Sequence, residues 1–140
     1  MGYNDSHYMQ REGVTLFKRI DHVEIVPKDI EQTIAFYTDV LGFKIKERNK
    51  MNMPGLSEIS YLTLGDTMIE LLAFNSPAPA PEGPTLGYRI MAIEVEDMDK
   101  AIEFLKGKGV EISRPPMALG KSKRAEMKDP SGFTIELRQW

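Results

Sequence analysis

At 140 residues the chain has the length of one domain, enough to bury a core without covalent staples. With 41% hydrophobic and 28% charged residues and a net charge of -3, it has no basic surplus for nucleic acid. No apolar run approaches the roughly 20 residues that span a bilayer, and the absence of cysteine excludes disulfides, thiolate metal sites and cysteine nucleophiles. A reducing, cytoplasmic setting is the expectation, with neither membrane nor nucleic acid as partner.

Residues 1–16 read as a polar, flexible leader without the apolar stretch of a signal peptide. Met1-Gly2 with Ser6 fits the loose N-myristoylation pattern, weighed here against an unmodified leader. Ile20 to Val26 then alternates as a strand does, and Pro27-Lys28-Asp29 turns it. Asp29 caps a predicted helix from Ile30 to Leu41, whose Ile30, Ile34, Tyr37 and Leu41 share one face, and Gly42 closes it. Strands are predicted over Phe43 to Asn49, Ser57 to Leu64 and Thr67 to Phe74. Between the first two, Met51 to Gly55 has the composition of a lid and equally that of an ordinary connection. The Pro-rich stretch 75–86 reads as a linker.

Beyond it the pattern returns. Arg89 to Val95 alternates, Asp97 caps Met98 to Lys108 with Met98, Ile102 and Leu105 on one face, and Gly109 ends the helix. Strands over Val110 to Ser113, Arg124 to Lys128 and Phe133 to Trp140 complete the half. A shift of 68 residues places Ile25 on Ile93, Asp29 on Asp97, Ile34 on Ile102 and Phe36 on Phe104, and both closing strands carry Ile-Glu-Leu after a glycine turn. The chain therefore reads as an α+β domain over 17–140, built from two βαβββ modules, 17–74 and 87–140. Their mixed sheets form a curved cleft with the helices on the outer face.

Alternation sorts the faces. Val23, Ile25, Ile69, Leu71, Ile135 and Leu137 should pack under the helices; His22, Glu70, Glu136 and Arg138 should face the other way. Any one histidine or glutamate on a strand is ordinarily just solvated, and Glu24 and Glu94 are left in that class. His22, Glu70 and Glu136 stand out because they occupy the first and last strands of the first module and the last strand of the second. One imidazole and two carboxylates suit a borderline divalent ion, which would also relieve the repulsion between the carboxylates.

The stretch Ile20 to Lys46, with Asp21-His22 and Ile34-Ala-Phe-Tyr-Thr-Asp-Val-Leu-Gly-Phe, and the closing Lys128-Asp-Pro-Ser-Gly-Phe-Thr-Ile-Glu-Leu137 resemble the vicinal-oxygen-chelate superfamily. That group includes glyoxalase I, methylmalonyl-CoA epimerase, extradiol dioxygenases, and fosfomycin and bleomycin resistance proteins. The resemblance covers about Leu16 to Trp140 and is nearest to glyoxalase I. It implies metal ligands at His22, Glu70 and Glu136, with a third family position falling on Ile90, which cannot coordinate; His7, in the leader, is a remote substitute. Extradiol dioxygenases need that third position and are disfavoured.

For activity, the resemblance implies a lactoylglutathione-lyase-like lyase or isomerase holding nickel, zinc or manganese. Glu136 would be the base beside the carbonyl, Glu70 its partner and His22 a neutral ligand. The arginine that would hold a glutathione carboxylate is Val26 here, and an expected asparagine is Phe74. Arg138, Phe74 and Ile90 are therefore the candidate substrate contacts, with Arg138 able to meet an anionic substrate. The alternatives are a metal-free small-molecule binding protein of the bleomycin-resistance type and an acyl-CoA epimerase-like enzyme. Since each module closes only half a cleft, a homodimer with two equivalent sites is expected.

Overall fold

The computed structural model describes residues 16–140. His7, the myristoylation pattern and nearly all of the predicted leader lie outside the described residues. The first half forms β1 (Val23–Ile25), α1 (Ile30–Ala35), a π-helical turn (Phe36–Val40), β2 (Lys44–Met53), β3 (Leu56–Leu64) and β4 (Thr67–Phe74). The second forms β5 (Met91–Glu94), α2 (Met98–Gly107), β6 (Ile112–Leu119), β7 (Ser122–Lys128) and β8 (Thr134–Gln139). Each half is a four-stranded mixed sheet of the same topology, β1-β4-β3-β2 and β5-β8-β7-β6, with the first strand parallel to the last and the rest antiparallel. The α+β architecture of two βαβββ modules is as the repeat implied.

Both helices start as their caps dictate. Asp29 Oδ1 accepts from Gln32 N at 2.9 Å and Asp97 Oδ1 from Lys100 N at 3.1 Å, satisfying amides that have no partner inside the helix. The first helix does not stay α-helical to Leu41. From Phe36 it widens into a π turn, and Thr38 Oγ1 donates back to the Ile34 carbonyl at 2.8 Å. Gly42 then turns the chain at φ +82°, where a side chain would be strained.

Two strands run further than alternation suggests. β2 continues through Met53, so Met51 to Gly55 is the tip of a hairpin turning at Gly55, not a free loop. β6 continues to Leu119 through Pro115 and Pro116. It is the edge strand, its register slips between Arg114 and Met117, and the prolines' missing amides cost no ladder bond at that irregularity.

One apolar cluster joins the two modules. Ile34, Tyr37, Leu62, Ile69 and Leu71 pack with Met98, Ile102, Met127, Ile135 and Leu137, and Ile25 and Ile93 border them. Val23, expected beneath the helices, is exposed instead, because β1 is short and begins there at the sheet edge. Polar contacts reinforce the junction. Tyr37 Oη donates to Asp129 Oδ2 at 3.3 Å, and Lys28 N donates to Ser131 Oγ at 2.9 Å. The turn from β7 to β8 is thereby held against the first helix. Among the described residues, no helix is long and apolar enough to cross a membrane.

Candidate functional site

β1 and β4 are parallel neighbours with Glu24 opposite Glu70, and His22 precedes β1 by one residue. Period-two alternation therefore puts His22, Glu24 and Glu70 on the face away from the helices. His22 Nε2 lies 2.7 Å from Glu70 Oε2 and 3.9 Å from Glu24 Oε1. One donor atom from each residue falls within 4.8 Å of the others. Glu70 is buried, Glu24 is open to solvent and His22 is intermediate, so one side of the group is walled and the other accessible.

The imidazole is oriented from behind. Its Nδ1 stands 2.8 Å from Asp21 Oδ2, the carboxylate–histidine arrangement that fixes the ring of a metal-ligating histidine. The hydrogen bond to Asp21 raises the His22 pKa above its ordinary value; burial opposes this, and the Glu70 charge adds to it. Tyr61 stands opposite Glu70 on β3, with its ring edge-on to His22 at 6.4 Å between centroids. One nitrogen and two carboxylate oxygens converging at an accessible spot fit a borderline divalent ion.

Glu136 is not part of this group. It lies on β8 in the second module, where Arg124 Nη2 approaches Oε1 at 2.8 Å and Arg138 Nη2 approaches Oε2 at 3.1 Å. The structure thus brings His22 and Glu70 together and places Glu136 among arginines. Arg138 also stacks on Trp140, its guanidinium carbon 5.1 Å from the ring centre. Phe74 ends β4 with its side chain half-exposed, and Ile90 sits partly buried just ahead of β5.

Two groups of residues at the site are not singled out by the sequence. Glu24 reads there as a solvated strand residue, although its alternation with His22 puts it on the same face. Arg124 and Glu126 gave no signal, because their importance depends on the β7–β8 register that opposes Glu126 to Glu136 and Arg124 to Arg138.

Two repeated βαβββ sheets with a histidine–carboxylate group on one open face define the class. The pattern of the Glyoxalase/Bleomycin resistance protein/Dioxygenase superfamily matches residues 19–137, and the chain belongs to that superfamily. It is 31% identical over 127 residues to the lactoylglutathione lyase GLX1 of Arabidopsis thaliana, covering 87% of this chain but 44% of that protein, so it spans less than half of that relative's length. It is 27% identical over 143 residues to the mitochondrial methylmalonyl-CoA epimerase of Mus musculus, covering 96% and 80% of the two chains. Among solved structures, the glyoxalase family protein from Enterococcus faecalis superposes with a TM-score of 0.78 at 29% identity, over 89% of this chain and 100% of that one.

Proposed function

We propose that the protein is a metal-dependent lyase or isomerase of the glyoxalase I type, moving a proton on the carbon next to a carbonyl of a small-molecule substrate. The observation that carries this reading is the convergence of His22 Nε2 with carboxylate oxygens of Glu70 and Glu24, with Asp21 behind the imidazole. Nickel, zinc or manganese held by His22 and Glu70, with Glu136 or Glu24 as a further donor, would supply Lewis-acid polarisation of the carbonyl. Asp21, 2.8 Å from Nδ1, would keep the proton there and leave Nε2 for ligation. Glu70 and Glu136 are the carboxylates to take and return the substrate proton.

Glu136 is held at both oxygens by Arg124 and Arg138, which orient it; it can accept a proton only when a substrate displaces one of those contacts. Phe74 and Ile90 would supply apolar walls. The assembly we propose is a two-fold homodimer in the cytoplasm, in which open faces of the two modules close a cleft between copies. The histidine group would then form one wall and the arginine face the other.

Turnover of hemithioacetals tests this. Protein loaded with nickel, zinc or manganese is expected to isomerise them, while His22→Ala and Glu136→Ala lose on the order of a hundredfold to ten-thousandfold. Equal rates in the wild type and both variants, or turnover of acyl-CoA esters alone, would remove the glyoxalase assignment. A second reading is a metal-free small-molecule binding protein. What favours it is Ile90 at the third ligand position together with the arginines already holding Glu136.

A further inference from the structure

We propose that the open face of the second module is an anion seat, built by Arg89, Arg114, Arg124 and Arg138, that takes the carboxylate or phosphate of a small-molecule ligand. The face is made by register. On β7 and β8, Glu126 stands opposite Glu136 and Arg124 opposite Arg138, and on β6 Arg114 stands opposite Glu126. Directly opposed residues project from the same side of a sheet, so these five converge. Arg89, just ahead of β5, reaches the same place.

Arg124 Nη2 is the hub, 2.7 Å from Glu126 Oε1 and 2.8 Å from Glu136 Oε1. Arg114 Nε lies 3.3 Å from Glu126 Oε2, and Arg89 Nη2 lies 3.6 Å from Glu126 Oε1. Four guanidinium groups thus surround two carboxylates. Glu94, in register with Arg138, is exposed and makes no ion pair among the described residues; counting it still leaves a positive surplus.

A network serving only to neutralise Glu126 and Glu136 needs two cations. The two further arginines that share Glu126 leave the face with an excess positive charge, which a bound anion would offset. The surplus stands out in a chain whose net charge is -3.

Unused donors point the same way. Arg89 and Arg114 have side chains 55% and 64% exposed, so guanidinium donors beyond the approach to Glu126 are open to solvent. Arg138 Nε is buried and has no hydrogen-bond partner among the described residues. Beside it, Trp140 is 77% exposed and its ring offers a flat apolar surface. Planar guanidinium forks match the oxygens of a carboxylate or phosphate in pairs, which a lysine cluster would not do. The anion seat needs no metal; as a substrate subsite it rests on the lyase reading above, and there it narrows the substrate to a carbonyl compound with a carboxylate or phosphate.

Calorimetric titration of the chelator-treated, full-length protein at low chloride, with inorganic phosphate and with malonate separately, tests it. At least one anion is expected to bind saturably, one per chain, and to weaken as salt is added. Arg114→Gln and Arg89→Gln, changes at exposed side chains, should each weaken it about tenfold or more, the effect of losing one charge-assisted pair. Lys100→Gln, an exposed change on α2, should leave it unchanged. Preference for phosphate or for malonate distinguishes the two sources of the anionic group. No saturable binding of either anion, binding by both arginine variants equal to wild type, or an equal loss of binding in Lys100→Gln would each overturn the proposal. Failure of the lyase reading would appear separately, as absent hemithioacetal turnover with the anion titration intact.

Discussion

Tyr37→Ala is expected to destabilise the protein by about 4 kcal/mol, the cost of removing a large aromatic ring from a packed core. Tyr37 is 0% exposed and meets Phe36 and Phe43 edge to face, each with ring centres 5.4 Å apart. Its hydroxyl bonds Asp129 across the module junction. Tyr37→Phe keeps the ring contacts and should lose only about 1 kcal/mol, the net worth of one hydrogen bond. Chemical denaturation of the two variants checks both values; equal losses would mean that the ring contributes nothing beyond its hydroxyl.

The same junction has a pH signature. Burial raises the Asp129 carboxyl above its ordinary value, although hydrogen bonds from the backbone of Phe133 and Ser131 oppose the rise. A carboxyl raised in the native state favours the protonated fold. Its contribution is therefore present at low pH and is lost as the pH climbs from the ordinary carboxylate range through the raised value. Asp129→Asn keeps a side-chain oxygen for Ser131 and Phe133 and should flatten that slope.

Arg48→Met is the second large effect, expected at about 2–3 kcal/mol, toward the low end for breaking a buried ion pair. Glu58 on β3 is 1% exposed and faces the helices. Arg48 approaches it at 2.8 Å, Lys50 at 2.7 Å, and Ser60 Oγ donates at 2.7 Å. Burial pushes the Glu58 pKa up, but the bonds from Lys50, Ser60 and Arg48 outweigh it and hold the carboxyl below its usual range. Because the native value is depressed, Glu58 stabilises the fold above its unfolded pKa, and this is lost as pH falls through the depressed native value.

Lys50 remains in Arg48→Met, which moderates the loss, while the double change Arg48→Met with Glu58→Leu should recover most of it. A melting temperature lowered by roughly 6–9 °C in the single variant, at about 3 °C per kcal/mol for this size, is the expected reading. No shift in the single variant would mean that Lys50 and Ser60 suffice.

Much of this architecture was legible from the repeat. Asp29 and Asp97 cap at matched positions, and β4 spans the predicted Thr67 to Phe74, because cap chemistry and alternation are local properties. The π turn after Ala35 and the run of β6 through Pro115 and Pro116 were not legible, since tertiary packing and edge position decide them. In the site, alternation placed His22 and Glu70 on one face, and the register brought them to 2.7 Å. Alternation also put Arg138 on the face of Glu136, but Arg124, Arg114 and Arg89 escaped because the pairing of β7 with β8 and β6 is non-local, and nothing within either segment encodes which residues oppose.

The most direct test of the metal centre is metal content by mass spectrometry after the purified, untagged protein is dialysed against nickel, zinc or manganese and then against buffer. The wild type is expected to retain one divalent ion per chain, and His22→Ala and Glu70→Ala to retain none, since losing a ligand from so small a donor set removes most of the affinity. A wild type without metal after every ion, or an ion kept unchanged in both variants, would contradict the metal centre proposed at His22 and Glu70.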